Sequence, residues 1–219
     1  LQDRHNVVEK FPTLDSICRH AFIRRIPGIE VSRDKAEALA RLDAVHREIK
    51  QAFQLETFPF LTAEQIHGNE IAVVDRPIAS GNCFAGCDGL ITNQRKVCLG
   101  IYVADCCAIF IVDPKTPAIG LVHSGKKGTQ LKIVSRAIDL MTQRFGSVAQ
   151  DLIVQLSPCI RSPHYEIDFA AEIIAQCRSC GVQQVHDSGV CTACHLDLYY
   201  SYRAEKARTG RMLSLLALA

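Results

Sequence analysis

The chain has 219 residues, 48% of them apolar, enough to bury a substantial core without disulfide staples or an obligatory partner. Its 25 Lys and Arg nearly balance 23 Asp and Glu, leaving a net charge of +2; no like-charge block builds a nucleic-acid surface. The longest apolar runs, such as Ala108 to Val112 and Leu213 to Ala219, fall far short of the roughly 20 residues that span a bilayer, so no membrane partner is expected.

In chain order, HAFIRR (His20 to Arg25) reads as a short strand punctuated by Pro27 and Gly28. Leu39, Leu42, Val45, Ile49 and Phe53 recur at helical spacing and predict an amphipathic helix over residues 34 to 53. Between Phe58 and Val122 six short β-rich runs follow: FLTAEQIH, EIAVVD, DGLIT, VCLGIYV, AIFIV and AIGLVH. Beyond Gly128, the apolar series Leu131, Val134, Ile138, Met141 and Phe145 predicts a second helix, which Gly146 can end in the left-handed conformation. A strand at DLIVQL precedes a third helix, whose face carries Phe169, Ile173, Cys177 and Cys180 and which closes at Gly181. The remainder reads as a CTAC turn and a mixed polar tail ending in LLALA. With no repeat or linker, the expectation is an α+β fold, an α/β mixture on one core, as a single domain over residues 1 to 219.

Eleven cysteines, an odd number, argue against a fully paired extracellular framework and for reduced thiols. The first residues carry no charged-then-apolar signal pattern, so a cytoplasmic location is expected. Cys177-x-x-Cys180 and Cys191-x-x-Cys194 imitate a four-thiolate zinc site, but their ten-residue spacer is short for a ribbon, and buried thiols also act as small hydrophobes. Cys83 and Cys87 flank a turn at Gly86, and Cys107 reads as core.

The residues that suggest chemistry are His67 at the end of a strand in QIHGNE, Cys106 before AIFIV, and His123 at the end of AIGLVH. Three such ligands suit a zinc ion with an open fourth position, although spacing alone does not make them a site. The loop GKKG holds Gly125, Lys126 and Lys127; Gly120, Gly125 and Lys126 satisfy most of a nucleotide phosphate loop, but Lys127 stands where that loop needs Ser or Thr. A glycine-flanked turn opening a helix still favours anions, and the two lysines either strengthen that site or are simply solvated. Asp88 reads as a general acid or base, or as a residue that satisfies its own turn. Tyr165, Glu166, Arg203 and Arg211 are weaker candidates.

Six segments carry a resemblance in their order: QIHG, GCDGLIT, ADCCAIFIVDP, AIGLVHSGKKG, SPCIRSPHYEI, and the closing series CTAC, SYR and TGRM. They resemble the purine nucleoside phosphorylases formerly described as multicopper polyphenol oxidases, the laccase-domain or YfiH-like family. The resemblance implies a fold of mixed β-sheets flanked by helices and a metal held by His67, Cys106 and His123, zinc first and copper as the alternative. It also implies catalysis by those three residues, with phosphate or substrate held by Lys127, Lys126, Asp88 and Arg211. The implied reaction is phosphorolysis of adenosine, inosine, guanosine or methylthioadenosine to free base and ribose 1-phosphate, with adenosine deamination as a second activity. Its partners are then a small purine nucleoside and phosphate.

The chain also departs from the family pattern. Lys126 replaces a Trp and the chain has no Trp at all, Pro163 and His164 replace paired cysteines, Arg161 takes a Gly position, and the stretch between Asp168 and Ala171 is short. Other readings stay open: a copper-dependent phenol oxidase, a hydrolase with Cys106 as nucleophile and His123 as base, or a metal-binding protein that has lost turnover.

Overall fold

Side-chain alternation sorts the strands of the apolar middle. In the computed structural model, which describes residues 7–218, the chain runs β1 (Val8–Glu9), β2 (Arg19–Ile23), α1 (Lys35–Ala52), β3 (Phe60–Ala63), β4 (Ile71–Val74), β5 (Asn82–Phe84) and β6 (Gly89–Thr92). It continues through β7 (Cys98–Val103), β8 (Cys107–Asp113), β9 (Ala118–Ser124), α2 (Lys126–Gln130), α3 (Ile133–Phe145), β10 (Ile153–Leu156), α4 (Phe169–Ser179), β11 (Gln184–Asp187) and β12 (Met212–Ala217). On β8, Ala108, Phe110 and Val112 enter one apolar cluster while Cys107, Ile109 and Ile111 enter another. Successive side chains of a strand point to opposite faces, so a strand apolar on both sides must be covered on both.

Two six-stranded sheets result. The first has the order β1-β2-β12-β7-β3-β5, the second β11-β10-β8-β9-β6-β4. Both are mixed: β12 pairs antiparallel with β2 and β7, whereas β3 pairs parallel with β7 and β5. The sheets meet where β7 and β12 lie against β9. Helix α1 covers the far side of the first sheet, with His46 beside the Tyr102 ring (6.0 Å) and Lys50 over Phe60 (4.0 Å). Helices α3 and α4 cover the far side of the second, burying Val134, Ile138, Met141, Phe169, Ile173 and Cys177. The expected mixed sheets flanked by helices are therefore present.

Local signals explain most boundaries. Asp34 caps α1 by accepting the Glu37 N–H (2.7 Å), Asp168 caps α4 by accepting that of Ala171 (2.9 Å), and Gly146 ends α3 at φ +75°.

Four expectations need correction. FLTAEQIH is a strand only over Phe60–Ala63; Gln65 and His67 have φ of 65° and 63°, so His67 sits in a loop beyond the strand. The helix expected beyond Gly128 is two helices, because Lys132 turns left-handed (φ 57°) and leaves Leu131 42% exposed. The middle region holds seven strands rather than six, the extra one being the short edge strand β5. The tail read as mixed and polar contains β12, fully buried at the centre of the first sheet; Ala219 lies outside the described residues.

All eleven cysteines are free thiols. Cys107 and Cys177 are buried in the second core, and among the described residues the four thiols of the two C-x-x-C pairs form no ligand cluster.

Candidate metal centre

Strand register brings the three candidate ligands to one end of the second sheet. On β8 and β9, Ala108 pairs with His123 and Cys107 with Ser124, so Cys106 emerges opposite Gly125. Gly89 of β6 pairs with Val122, and the His123 N–H donates to the Asp88 carbonyl (2.7 Å), which sets Asp88 beside His123. The third ligand is delivered by the loop after β3. Gln65 anchors it, its amide donating to the Tyr102 carbonyl (2.6 Å) while its oxygen accepts the Tyr102 N–H (3.0 Å).

The Asp88 carboxylate then holds the loop in place. One oxygen accepts the His67 N–H (2.8 Å) and His123 Nδ1–H (2.8 Å), and the other accepts the Gly68 N–H (2.7 Å). Asp88 is fully buried. Burial works against its charge, but the hydrogen bonds from His123 and Gly68 outweigh it and leave its pKa below the ordinary carboxylate value. Sequence reading weighed Asp88 as an acid or base or as a turn residue; its observed contacts are those of a carboxylate that fixes both histidines. With Nδ1 engaged, His123 keeps Nε2 for a ligand, the arrangement that supporting carboxylates impose at metal sites.

The ligand atoms of His67, Cys106 and His123 all lie within 4.8 Å of one another, and Cys106 Sγ is 4.0 Å from His67 Nε2. Zinc bonds of about 2.0–2.3 Å put tetrahedral N and S ligands roughly 3.4–3.6 Å apart. The residues present therefore fit such an ion after a modest contraction. Gly125 permits the packing: a Cβ there would stand 2.5 Å from Cys106 Sγ.

Electrostatics favour the ligating state of the thiol. Burial opposes ionisation of Cys106, yet the charge and hydrogen bond of His123, aided by His67, bring its pKa down to about 6. Burial likewise opposes charge on His123, but Cys106 and Asp88 raise its pKa to about 9. A thiolate is the form that binds metal.

The cluster opens onto a cavity of about 670 Å³. His67 is exposed, Cys106 half-buried and His123 buried, so the cluster spans from the cavity to the core. Tyr102, Tyr165, Phe169 and Tyr202 contribute rings to the lining. The Trp that Lys126 replaces is thus absent, but an aromatic wall is present. Lys126, Arg203 and Arg211 line the cavity as well. Lys127 is exposed on α2 and, like Asp88, is not among the lining residues. Glu166 ties Arg203 (2.7 Å) and Lys126 (3.8 Å) together at the rim.

Sequence reading missed Lys35, Lys206 and Asp105 as residues of the lining. Asp105, at φ +80°, accepts the Thr192 hydroxyl (2.7 Å) and the Arg203 N–H (2.7 Å), tying the Cys106 turn to the C-terminal segment. Its place before Cys106 in ADCC was the available signal.

Fold and site together define a class: two stacked mixed sheets presenting a His-Cys-His cluster to a cationic, aromatic-lined cavity. Residues 27–172 and 164–219 match the model of the family described as multi-copper polyphenol oxidoreductase laccase, and the chain belongs to that family. It is 26% identical over 207 residues to purine nucleoside phosphorylase YlmD of Bacillus subtilis, covering 78% of this chain and 74% of that protein. Purine nucleoside phosphorylase YlmD of Geobacillus stearothermophilus is 29% identical over 203 residues, covering 75% and 73%. Among solved structures, the hypothetical protein YfiH of Bacillus licheniformis superposes with a TM-score of 0.87 at 19% identity, covering 97% of each chain. YlmD of Geobacillus stearothermophilus gives 0.84 at 20% identity, covering 97% and 98%.

Proposed function

We propose that this chain is a zinc-dependent purine nucleoside phosphorylase of the cytoplasm, acting as a single catalytic domain. The observation that carries the reading is the convergence of His67, Cys106 and His123 on a cavity lined by aromatic rings and cations. The relatives named purine nucleoside phosphorylase support it.

The chemistry follows from what the side chains can do. The aromatic rings offer stacking faces for a purine, and the cations draw phosphate to the ribose. A phosphate oxygen bonds to C1′ as the C1′–N9 bond breaks; the bond's electron pair departs on the purine, which takes up a proton. Free base and ribose 1-phosphate result. Asp88 keeps both histidines oriented, and the lining side chains hold the reactants in attack geometry. When bound to His67, Cys106 and His123, zinc supplies Lewis acidity and an open coordination position, which also suits hydrolytic deamination of adenosine.

The test is a panel of adenosine, inosine, guanosine and methylthioadenosine, assayed with and without phosphate. Phosphate-dependent release of free base and ribose 1-phosphate is expected, abolished in His67→Ala and Cys106→Ala. Normal turnover in both variants would refute the assignment. Phosphate-independent inosine formation from adenosine reports the deaminase activity. Oxygen uptake on phenols with several coppers per chain would move the assignment to a copper oxidase. Activity that survives metal removal, with covalent trapping at Cys106, would point to a Cys106–His123 hydrolase. Tight zinc binding with no product from any nucleoside would leave a metal-binding protein without turnover.

A further inference from the structure

Five cationic side chains line the cavity: Lys35, Lys126, Arg203, Lys206 and Arg211. They are not equivalent. Arg203 and Lys126 share the Glu166 carboxylate. Lys35, Lys206 and Arg211 have no carboxylate partner among the described residues; Lys206 sits on an exposed left-handed turn (φ 50°) with no hydrogen bond to fix its ammonium, whereas the other two are held in place. The Lys35 ammonium donates to the Glu64 carbonyl (3.1 Å), while Arg211 donates to the carbonyls of Gly210 (2.8 Å) and Thr209 (3.4 Å) and leans over the Tyr202 ring (5.8 Å). The lining carboxylate Asp105 is already engaged by Thr192 and Arg203.

The two held cations come from distant parts of the chain, each at the start of an element. Lys35 is the first residue of α1 and Arg211 immediately precedes β12. The Arg211 charge also reaches Lys35. Burial first, and then the Arg211 charge, hold the Lys35 ammonium below the usual lysine range. Burial does the same to the Arg211 guanidinium. Two like charges that line one cavity repel, and neither is paired with a carboxylate among the described residues. A tetrahedral oxyanion between them offsets that repulsion, since a guanidinium offers paired N–H groups and an ammonium a rotatable point charge.

We propose that Lys35 and Arg211 form an oxyanion subsite of the cavity, and that its occupant is inorganic phosphate. The subsite rests on the two cations lining one cavity with no paired carboxylate among the described residues; naming phosphate as the co-substrate rests on the phosphorylase reading. The family resemblance nominated Lys127 alongside Arg211, but Lys127 is exposed on α2 outside the lining. Lys126 and Arg203, joined by Glu166, brace the rim.

Calorimetric titration of the zinc-loaded full chain with inorganic phosphate, and in parallel with a nucleoside 5′-monophosphate, tests the subsite. Removing one charged donor is expected to weaken phosphate binding about tenfold or more in Lys35→Met and in Arg211→Met, with Lys35→Arg retaining most of the affinity. In turnover, the phosphate KM should rise in Lys35→Met while the nucleoside KM stays within about twofold. Lys35 opens α1 and its hydrogen bond goes to a backbone carbonyl, so Lys35→Met keeps the test decisive even if Arg211→Met fails to fold.

Undiminished phosphate binding in Lys35→Met would overturn the proposal. So would a loss confined to Lys127→Met, or one confined to the nucleoside monophosphate. Phosphate binding through the pair without phosphorolysis of any nucleoside would sink the phosphorylase reading and leave the subsite standing. Phosphorolysis with an unchanged phosphate KM in Lys35→Met would do the reverse.

Discussion

Asp88→Asn isolates the group that organises the cluster. The carboxylate accepts three N–H donors, two on one oxygen and one on the other. An amide of the same shape has one oxygen. If that oxygen faces His67 and His123, its NH₂ opposes the Gly68 N–H; if it is reversed, the NH₂ opposes two donors. A buried donor left without an acceptor costs about 1–3 kcal/mol. Loss of a supporting partner typically lowers metal affinity about 10–100-fold, and at about 1.4 kcal/mol per tenfold the two figures agree. Zinc affinity should therefore fall by one to two orders of magnitude, measured by competition with a chromogenic chelator. Urea unfolding of the metal-free protein separates this effect from general destabilisation. If the variant binds zinc within about threefold of the parent while its metal-free stability drops, Asp88 supports the fold alone and the positioning argument is wrong.

Gly125→Ala would place a Cβ 2.5 Å from Cys106 Sγ, so zinc affinity should fall about tenfold or more with the helical circular-dichroism signal retained; wild-type affinity would show that the cysteine relocates freely. His46 is 2% exposed, both ring nitrogens lack a hydrogen-bond partner among the described residues, and burial, with Lys50 adding to it and Asp43 opposing, lowers its pKa to about 4. Because the folded pKa is depressed, its stability contribution is whole above the unfolded value of about 6.5 and is lost as pH falls toward 4, up to roughly 3 kcal/mol. His46→Leu should flatten the fall in urea midpoint between pH 7.5 and 4.5, and an unchanged slope would refute the assignment. Asp34→Ala removes the acceptor for the Glu37 N–H at the start of α1 and should lower unfolding stability by about 1 kcal/mol; a shift below about 0.3 kcal/mol in denaturant titration would mean that water caps the helix equally well.

Legibility in the sequence followed the range over which each signal acts. Helix α1 declared itself through Leu42 and Ile49 on a 3.6-residue period, a local feature. Strand β12 did not, because Met212 to Ala217 is buried throughout and Leu-rich rather than alternating or β-branched, and its identity comes from pairing with Arg19–Ile23 and Cys98–Val103. The break at Lys132 carried no Gly or Pro to announce it. At the site, His67, Cys106 and His123 were visible as ordered motif positions, and the structure places them together. The acceptor role of Asp88 was hidden, since its partners lie 20, 21 and 35 residues away. Lys35 was hidden for the same reason: nothing local says that the first residue of α1 faces a cavity built from β7, β9 and the segment before β12.

The central place of β12 also fixes the order in which this protein can become itself. Until residues 212 to 217 are available, β2 and β7 each present an unpaired edge, and an exposed edge on a nascent chain invites pairing with another chain. Ribosomal synthesis thus delivers the cluster-bearing sheet well before the strand that joins β2 to β7. Arg211 arrives with that strand, so the cavity acquires its full set of cations only as the first sheet closes. Partial chains should sequester metal before they can gather an anion, and any early release from the ribosome should yield aggregates rather than a weakened catalyst.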